Sequence, residues 1–229
     1  MCYFLSMWRV ASKRTPLLGA AILLLASGAA AQDLEFGTKA GVSFPWVSGP
    51  DWADSLSSVE GENNFAIRFL GGAYGTYRFT PELALQVEVL YTAAGGAYGY
   101  SYQVASYSYN YVGTVRAPSL DIPLLFRGIL PVGPGGLYGA FGPGITVLPE
   151  RVTYDEESGD LEIEAERDPD RRAMLSGTVE LGYLFELQRW LIDLGIRYSR
   201  SLTPFYTNAA EDGTYFNSFG VTLGGGYRF

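Results

Sequence analysis

Apolar residues recur at every second position through eight separate stretches of this 229-residue chain, and none of the eight carries a helical stripe. The stretches are Leu34–Trp46, Phe65–Phe79, Leu83–Tyr91 and a little beyond, Pro118–Leu130, Leu137–Val147, Leu175–Phe185, Trp190–Tyr198 and Phe219–Phe229. Between them the connections alternate in length. Thr80-Pro81-Glu82, Pro131–Gly136 and Gln188-Arg189 are tight, whereas Val47–Asn64, Ala93–Ala117, Leu148–Ala173 and Ser199–Asn217 are long. Short turns at one end and long loops at the other predict an all-β fold, an eight-stranded antiparallel up-and-down barrel.

The second face of each stretch decides which way round the barrel is built. It carries the bases Lys39, Arg68, Arg78, Arg127, Arg197 and Arg228, and the acids Glu35, Glu88, Asp121, Glu180, Glu186 and Asp193. Six against six is an even balance within a chain of net charge −8. In a soluble barrel these charges would be a solvated surface. The apolar face, however, ends in aromatics at Trp46, Phe79, Tyr91, Phe185, Trp190, Tyr198 and Phe229. Aromatic girdles flanking an apolar band are a mark of barrels that span a membrane. Lipid leaves no strand edge unpaired, so such a barrel closes. Eight strands leave room only for side chains inside. The expectation is a transmembrane barrel with a lumen filled by a charge network of Lys39, Arg68, Arg78, Glu88, Asp121, Arg127, Glu180, Asp193 and Arg197, and no open pore. The competing reading is a soluble, exported, lipocalin-like barrel around a small apolar ligand.

The N-terminus supplies an address. Arg9, Lys13 and Arg14 precede an apolar run from Leu17 to Ala26, followed by Ala29-Ala30-Ala31. That layout predicts a cleavable signal peptide over residues 1–31 and a barrel domain over 32–229. Translation from Met7 would preserve every signal feature. Cleavage removes three basic residues and no acid, so 13 basic residues face 24 acidic ones in the mature chain. An acidic chain of this kind repels phosphate backbones and is not expected to bind nucleic acid.

Conventional catalysis has little to work with. The chain has no histidine, and its one cysteine, Cys2, lies ahead of the cleavage site. Ser-His-Asp and Cys-His arrangements, histidine-bound zinc and disulfide frameworks are therefore excluded. No cofactor or metal is expected, nor an enzymatic role.

Several segments together resemble a known group. They are Gly37-Thr38-Lys39-Ala40-Gly41-Val42-Ser43-Phe44, Leu85-Gln86-Val87-Glu88-Val89-Leu90-Tyr91 and Leu120-Asp121-Ile122-Pro123-Leu124-Leu125-Phe126. Phe141-Gly142-Pro143 and the terminal Gly224-Gly225-Gly226-Tyr227-Arg228-Phe229 complete the set. In order and spacing the chain resembles the PorT-like outer-membrane β-barrel family of Bacteroidetes-type bacteria. The resemblance implies an integral protein of the cell outer membrane, with short turns in the periplasm and long loops outside. It implies partners in the membrane lipids and, during insertion, in the barrel-assembly machinery, which would read Tyr227 and Phe229 as a terminal aromatic signal. It implies no single activity, so the expected role is structural or one of surface interaction. Pro123 and Pro143 remove ladder donors from strands that have no free edge, so bulges are expected there.

Two loops stand out. Residues 93–115 carry no charge and hold Tyr98, Tyr100, Tyr102, Tyr107, Tyr109 and Tyr111. Their alternation predicts a self-packed hairpin above the membrane, and their composition also suits contact with a surface ligand or protein. Residues 150–172 hold ten acids, including Asp155, Glu156, Glu157, Asp160, Glu162, Glu164 and Glu166, without the spacing of a calcium loop. A solvated, mobile loop is expected there.

Overall fold

The computed structural model describes residues 34–57, 61–104, 107–158, 161–207 and 213–229. The signal segment 1–31 and the start of the barrel domain at residue 32 lie outside them. In chain order the elements are β1 (Leu34–Ser48), α1 (Pro50–Ser57), β2 (Glu62–Asn64), β3 (Arg68–Arg78), β4 (Leu83–Val104), β5 (Tyr107–Val132) and β6 (Gly135–Val147). There follow β7 (Val152–Ser158), β8 (Leu161–Arg167), β9 (Ala173–Leu187), β10 (Trp190–Ser201), β11 (Tyr206–Thr207) and β12 (Gly213–Arg228).

Eight of the strands close a ring. Antiparallel pairing runs β4-β3-β1-β12-β10-β9-β6-β5, and β5 returns to β4. Chain neighbours pair throughout, and the first and last strands join along Glu35↔Arg228 to Ser48↔Tyr215. This is the up-and-down barrel that the eight stretches predict, although β4, β5 and β12 run well past their expected spans, to Val104, from Tyr107 and from Gly213. β3 starts later than expected, at Arg68, although the N–H of Ala66 still donates to the carbonyl of Pro45 in step with the β1–β3 ladder.

The two faces separate cleanly. On β10 burial alternates along the strand: Ile192, Leu194, Ile196 and Tyr198 are exposed, while Leu191, Asp193 and Arg197 are buried. Phe126 and Phe141, Val179 and Leu181, and Val221 and Leu223 likewise face out. An exposed apolar wall around a polar interior is the reverse of a lipocalin, and it overturns the competing soluble-barrel reading. At the short-turn end the wall finishes in touching rings. Phe36 meets Phe229, Tyr227 meets both Phe229 and Trp190, Tyr77 meets Phe79, and Tyr183 meets Phe185.

Three details differ from expectation. First, no bulge forms at Pro123 or Pro143. The β5–β6 register skips from Pro123↔Gly144 to Phe126↔Phe141 without inserting a residue, so the ladder loses bonds but keeps step. A Cβ on Gly142 would lie 1.9 Å from the Leu124 carbonyl oxygen, so glycine beside the proline lets the strands stay close. Secondly, the acidic segment is not a loose loop. β7 and β8 form a hairpin, and β7 extends the barrel wall by pairing with Val112–Arg116 of β5. Thirdly, the long connections carry α1, β2 and β11, short elements with no strict alternation to betray them.

Beyond the Gly71↔Tyr91 pair that ends the β3–β4 ladder, β4 and β5 rise together as a hairpin. There Tyr100 stacks on Tyr111 with ring centroids 4.9 Å apart, and the Tyr98 hydroxyl donates to Glu156 at 2.7 Å. Burial, reinforced by that carboxylate, pushes the Tyr98 hydroxyl above its ordinary range. Tyr98 belongs to an apolar cluster with Val47, Leu56, Val115, Leu148, Met174, Phe205 and Phe216, gathered from the long connections and the strand ends beside them. Phe205 and Phe216 stack at 3.9 Å.

Candidate functional site: the barrel interior

The inward faces of five ring strands bring most of the charged candidates together. Lys39 of β1 sits between two carboxylates, its Nζ 2.8 Å from Glu88 of β4 and 2.7 Å from Glu180 of β9. Arg197 of β10 bonds to Glu88, reaches Asp121 of β5 at 3.1 Å and lies 3.4 Å from Glu180. Arg127 of β5 pairs with Asp193 of β10 at 2.6 Å. Its guanidinium also lies over the Tyr138 ring of β6, 3.6 Å from the centroid. Neutral groups knit the charges. Gln86 accepts from Arg127 at 2.9 Å and from Thr76 at 3.0 Å, and donates to Glu88 at 2.7 Å. The Tyr138 oxygen is 2.7 Å from both Glu180 and Asp193, and its single hydrogen serves one of them at a time. Every one of these charged side chains is nearly or fully buried. Burial of this kind is tolerable only because partners are present on all sides.

Arg78 lies elsewhere, in a second cluster at the short-turn end. It pairs with Glu35 at 2.6 Å and Glu186 at 2.8 Å, and Arg228 contacts the same two carboxylates at 2.8 Å. Glu35, Arg228 and β3 meet there because the chain ends close the ring.

Arg68 departs from expectation. It joins neither cluster, makes no ion pair among the described residues, and has Arg116 and Asp155 as its charged neighbours. The reason is its place at the first residue of β3, opposite Ser43, at the long-loop end beyond the carboxylates. Without it the interior balance is five basic residues to six acidic. Tyr227 and Phe229 are on the short-turn rim, in the aromatic belt described above.

Two interior residues have no counterpart in the sequence reading. Tyr74 lies across Gly37 and Gly226, and Tyr138 lies across Gly182 and Gly195. In each case the two glycines are direct cross-strand partners, and so is the first glycine with the tyrosine. A Cβ on any of the four glycines would fall 2.4–2.6 Å from its tyrosine. The signal available was the coincidence of inward glycines with an inward tyrosine on an adjoining strand.

Towards the long loops the interior changes character. A cavity of about 60 Å³ is lined by hydroxyls of Thr92, Ser119, Ser176 and Ser199 together with Asp121 and Arg197. Met174 and Phe216 of the apolar cluster form its other side. Among the described residues, no three acids converge as a metal site.

A search of curated proteins finds no match. Several solved structures are similar to the chain. OprG from Pseudomonas aeruginosa is 13% identical with a TM-score of 0.46, over 86% of this chain and 97% of that one. Neisserial surface protein A is 14% identical with a TM-score of 0.41, over 85% and 97%. Ail, the attachment invasion locus protein of Yersinia pestis, is 15% identical with a TM-score of 0.37, over 86% and 99%. The model of the outer membrane protein beta-barrel domain matches residues 17–229, and the chain belongs to that family.

Proposed function

We propose that this outer-membrane barrel is a sealed scaffold, with a structural or surface-interaction role and neither a pore nor a catalytic centre. The observation that carries the reading is the crossing of the lumen by Lys39, Glu88, Glu180 and Arg197, contributed by four strands and bonded to one another. An ion moving along the axis would have to break several buried ion pairs at once. In the orientation we propose, the short turns lie in the periplasm. The Tyr-bearing β4–β5 hairpin and the β7–β8 hairpin then stand outside, where a surface ligand or protein would meet them. A PorT-like affiliation and a signal peptide over residues 1–31 complete this reading.

Purified protein in planar bilayers is expected to give no stable channels. Openings of steady amplitude would overturn the sealed-scaffold reading.

The same reading assigns Tyr227 and Phe229 to recognition during insertion. The Phe229 ring packs against Phe36 and Tyr227 and stays half exposed, so it contributes about 1–3 kcal/mol of burial at most. Phe229→Ala should therefore lower the amount of folded barrel in the membrane while leaving the barrel that does fold nearly as stable. Phe219→Ala removes a ring from the same strand and the same outward face. Equal membrane levels of the two variants would deny the terminal residue a special role.

A further inference from the structure

We propose that Arg200 and the outward groove beside it form a site for an anionic membrane lipid, the guanidinium taking the phosphate and the groove one acyl chain. The proposal rests on the membrane-spanning reading of the barrel, and it concerns the outer wall; Arg200 also borders the interior cavity beside Asp121 and Arg197.

Arg200 ends the outward run Trp190, Ile192, Leu194, Ile196 and Tyr198 on β10, and like them it is exposed. Among the described residues it makes no ion pair. Its guanidinium carbon lies over the Tyr215 ring, 5.8 Å from the centroid. The other basic residues of the ring strands turn inward to carboxylates, except Arg68 and Arg116, which lie near each other, with Asp155 also near Arg68. A lone cation at the margin of a lipid-facing surface finds its natural counter-charge in a lipid headgroup.

The wall next to Arg200 is dented. Its direct cross-strand partner is Gly177, and the partner of Gly177 on the next strand is Pro143. With almost no side chain at these two positions, a groove of about 560 Å³ opens between Leu124, Phe126 and Phe141 on one side and Leu202 on the other. Its lining is apolar, as a hydrocarbon chain requires. Leu202 lies over Gly177, within 3.8 Å of where a Cβ would stand, so the groove reaches the strand that carries Arg200.

The test uses the full protein in phosphatidylcholine vesicles containing a minor fraction of phosphatidic acid. Lipid retained after solubilisation is read by native mass spectrometry. Wild type should keep phosphatidic acid over phosphatidylcholine. Arg200→Gln should lower that preference about five- to tenfold, the worth of one cation at a charged surface. Arg200→Lys should keep most of it. Gly177→Leu fills the groove without meeting backbone and should lower retention even though the charge remains. Arg189→Gln, at the opposite end, should change nothing. Excess inorganic phosphate should not displace the lipid, because the acyl chain holds it. Equal preference in wild type and Arg200→Gln, or displacement by free phosphate, would overturn the lipid site. Failure of the wild type to enter vesicles would instead overturn the membrane-spanning reading.

Discussion

Replacing Lys39 by Met is expected to destabilise the folded barrel by about 3–5 kcal/mol, the usual cost of removing one partner from a buried ion pair. The methionine fills much the same space, so little of the loss comes from packing. The loss arises because Glu88 and Glu180, both buried, are bonded to the same ammonium group. Arg197 would remain beside each of them, but it is already shared with Asp121. Adding Glu88→Gln to Lys39→Met should restore part of the loss, since it removes a buried charge that has lost a partner. Urea unfolding in detergent micelles, followed by circular dichroism and by the gel mobility shift of folded barrels, measures both steps. A change below about 1 kcal/mol in Lys39→Met would place the residue in a solvated environment and contradict the geometry of the cluster.

How much of this was legible in the sequence follows from how strongly each residue is constrained. The ring strands face lipid on one side and a crowded interior on the other. Period two is therefore enforced along most of their length, and Leu191 to Tyr198 can be read residue by residue. Beyond the ring the constraint relaxes. β7 and β8 place Asp155 opposite Glu164 and Glu157 opposite Glu162, like-charged pairs that argue against a hairpin when read alone. What holds them is the β5 edge, reached through Val112–Arg116, a long-range contact with no local signature. The interior charges were visible as residue types, because charged side chains on the face opposite an apolar band have few places to go. Their partition into two clusters was not, since it depends on the stagger between strands. Arg68 shows the limit. It has the correct parity, but it lies at the strand's first residue, past the level of the carboxylates. Tyr74 and Tyr138 were missed for a related reason. Their role is defined by glycines on other strands, and the pairing register is needed to see it.

The most direct measurement of the account is the accessibility pattern of a single strand in a bilayer. Spin labels placed one at a time at positions 191 to 198 of β10, in a Cys2→Ser background, report on collisions with oxygen, which concentrates in lipid, and with a water-soluble nickel complex. Labels at Ile192, Leu194 and Ile196 should be open to oxygen and closed to nickel, because those side chains are exposed on the apolar wall. Labels at Leu191, Asp193 and Arg197 should be shielded from both, because these side chains are buried on the inward face and the proposed scaffold is sealed. The expected result is an alternation of period two in oxygen accessibility with no matching rise in nickel accessibility. Nickel access at 191, 193 and 197 would mean a water-filled pore, and oxygen access at those positions with shielding at 192, 194 and 196 would mean a barrel turned the other way round.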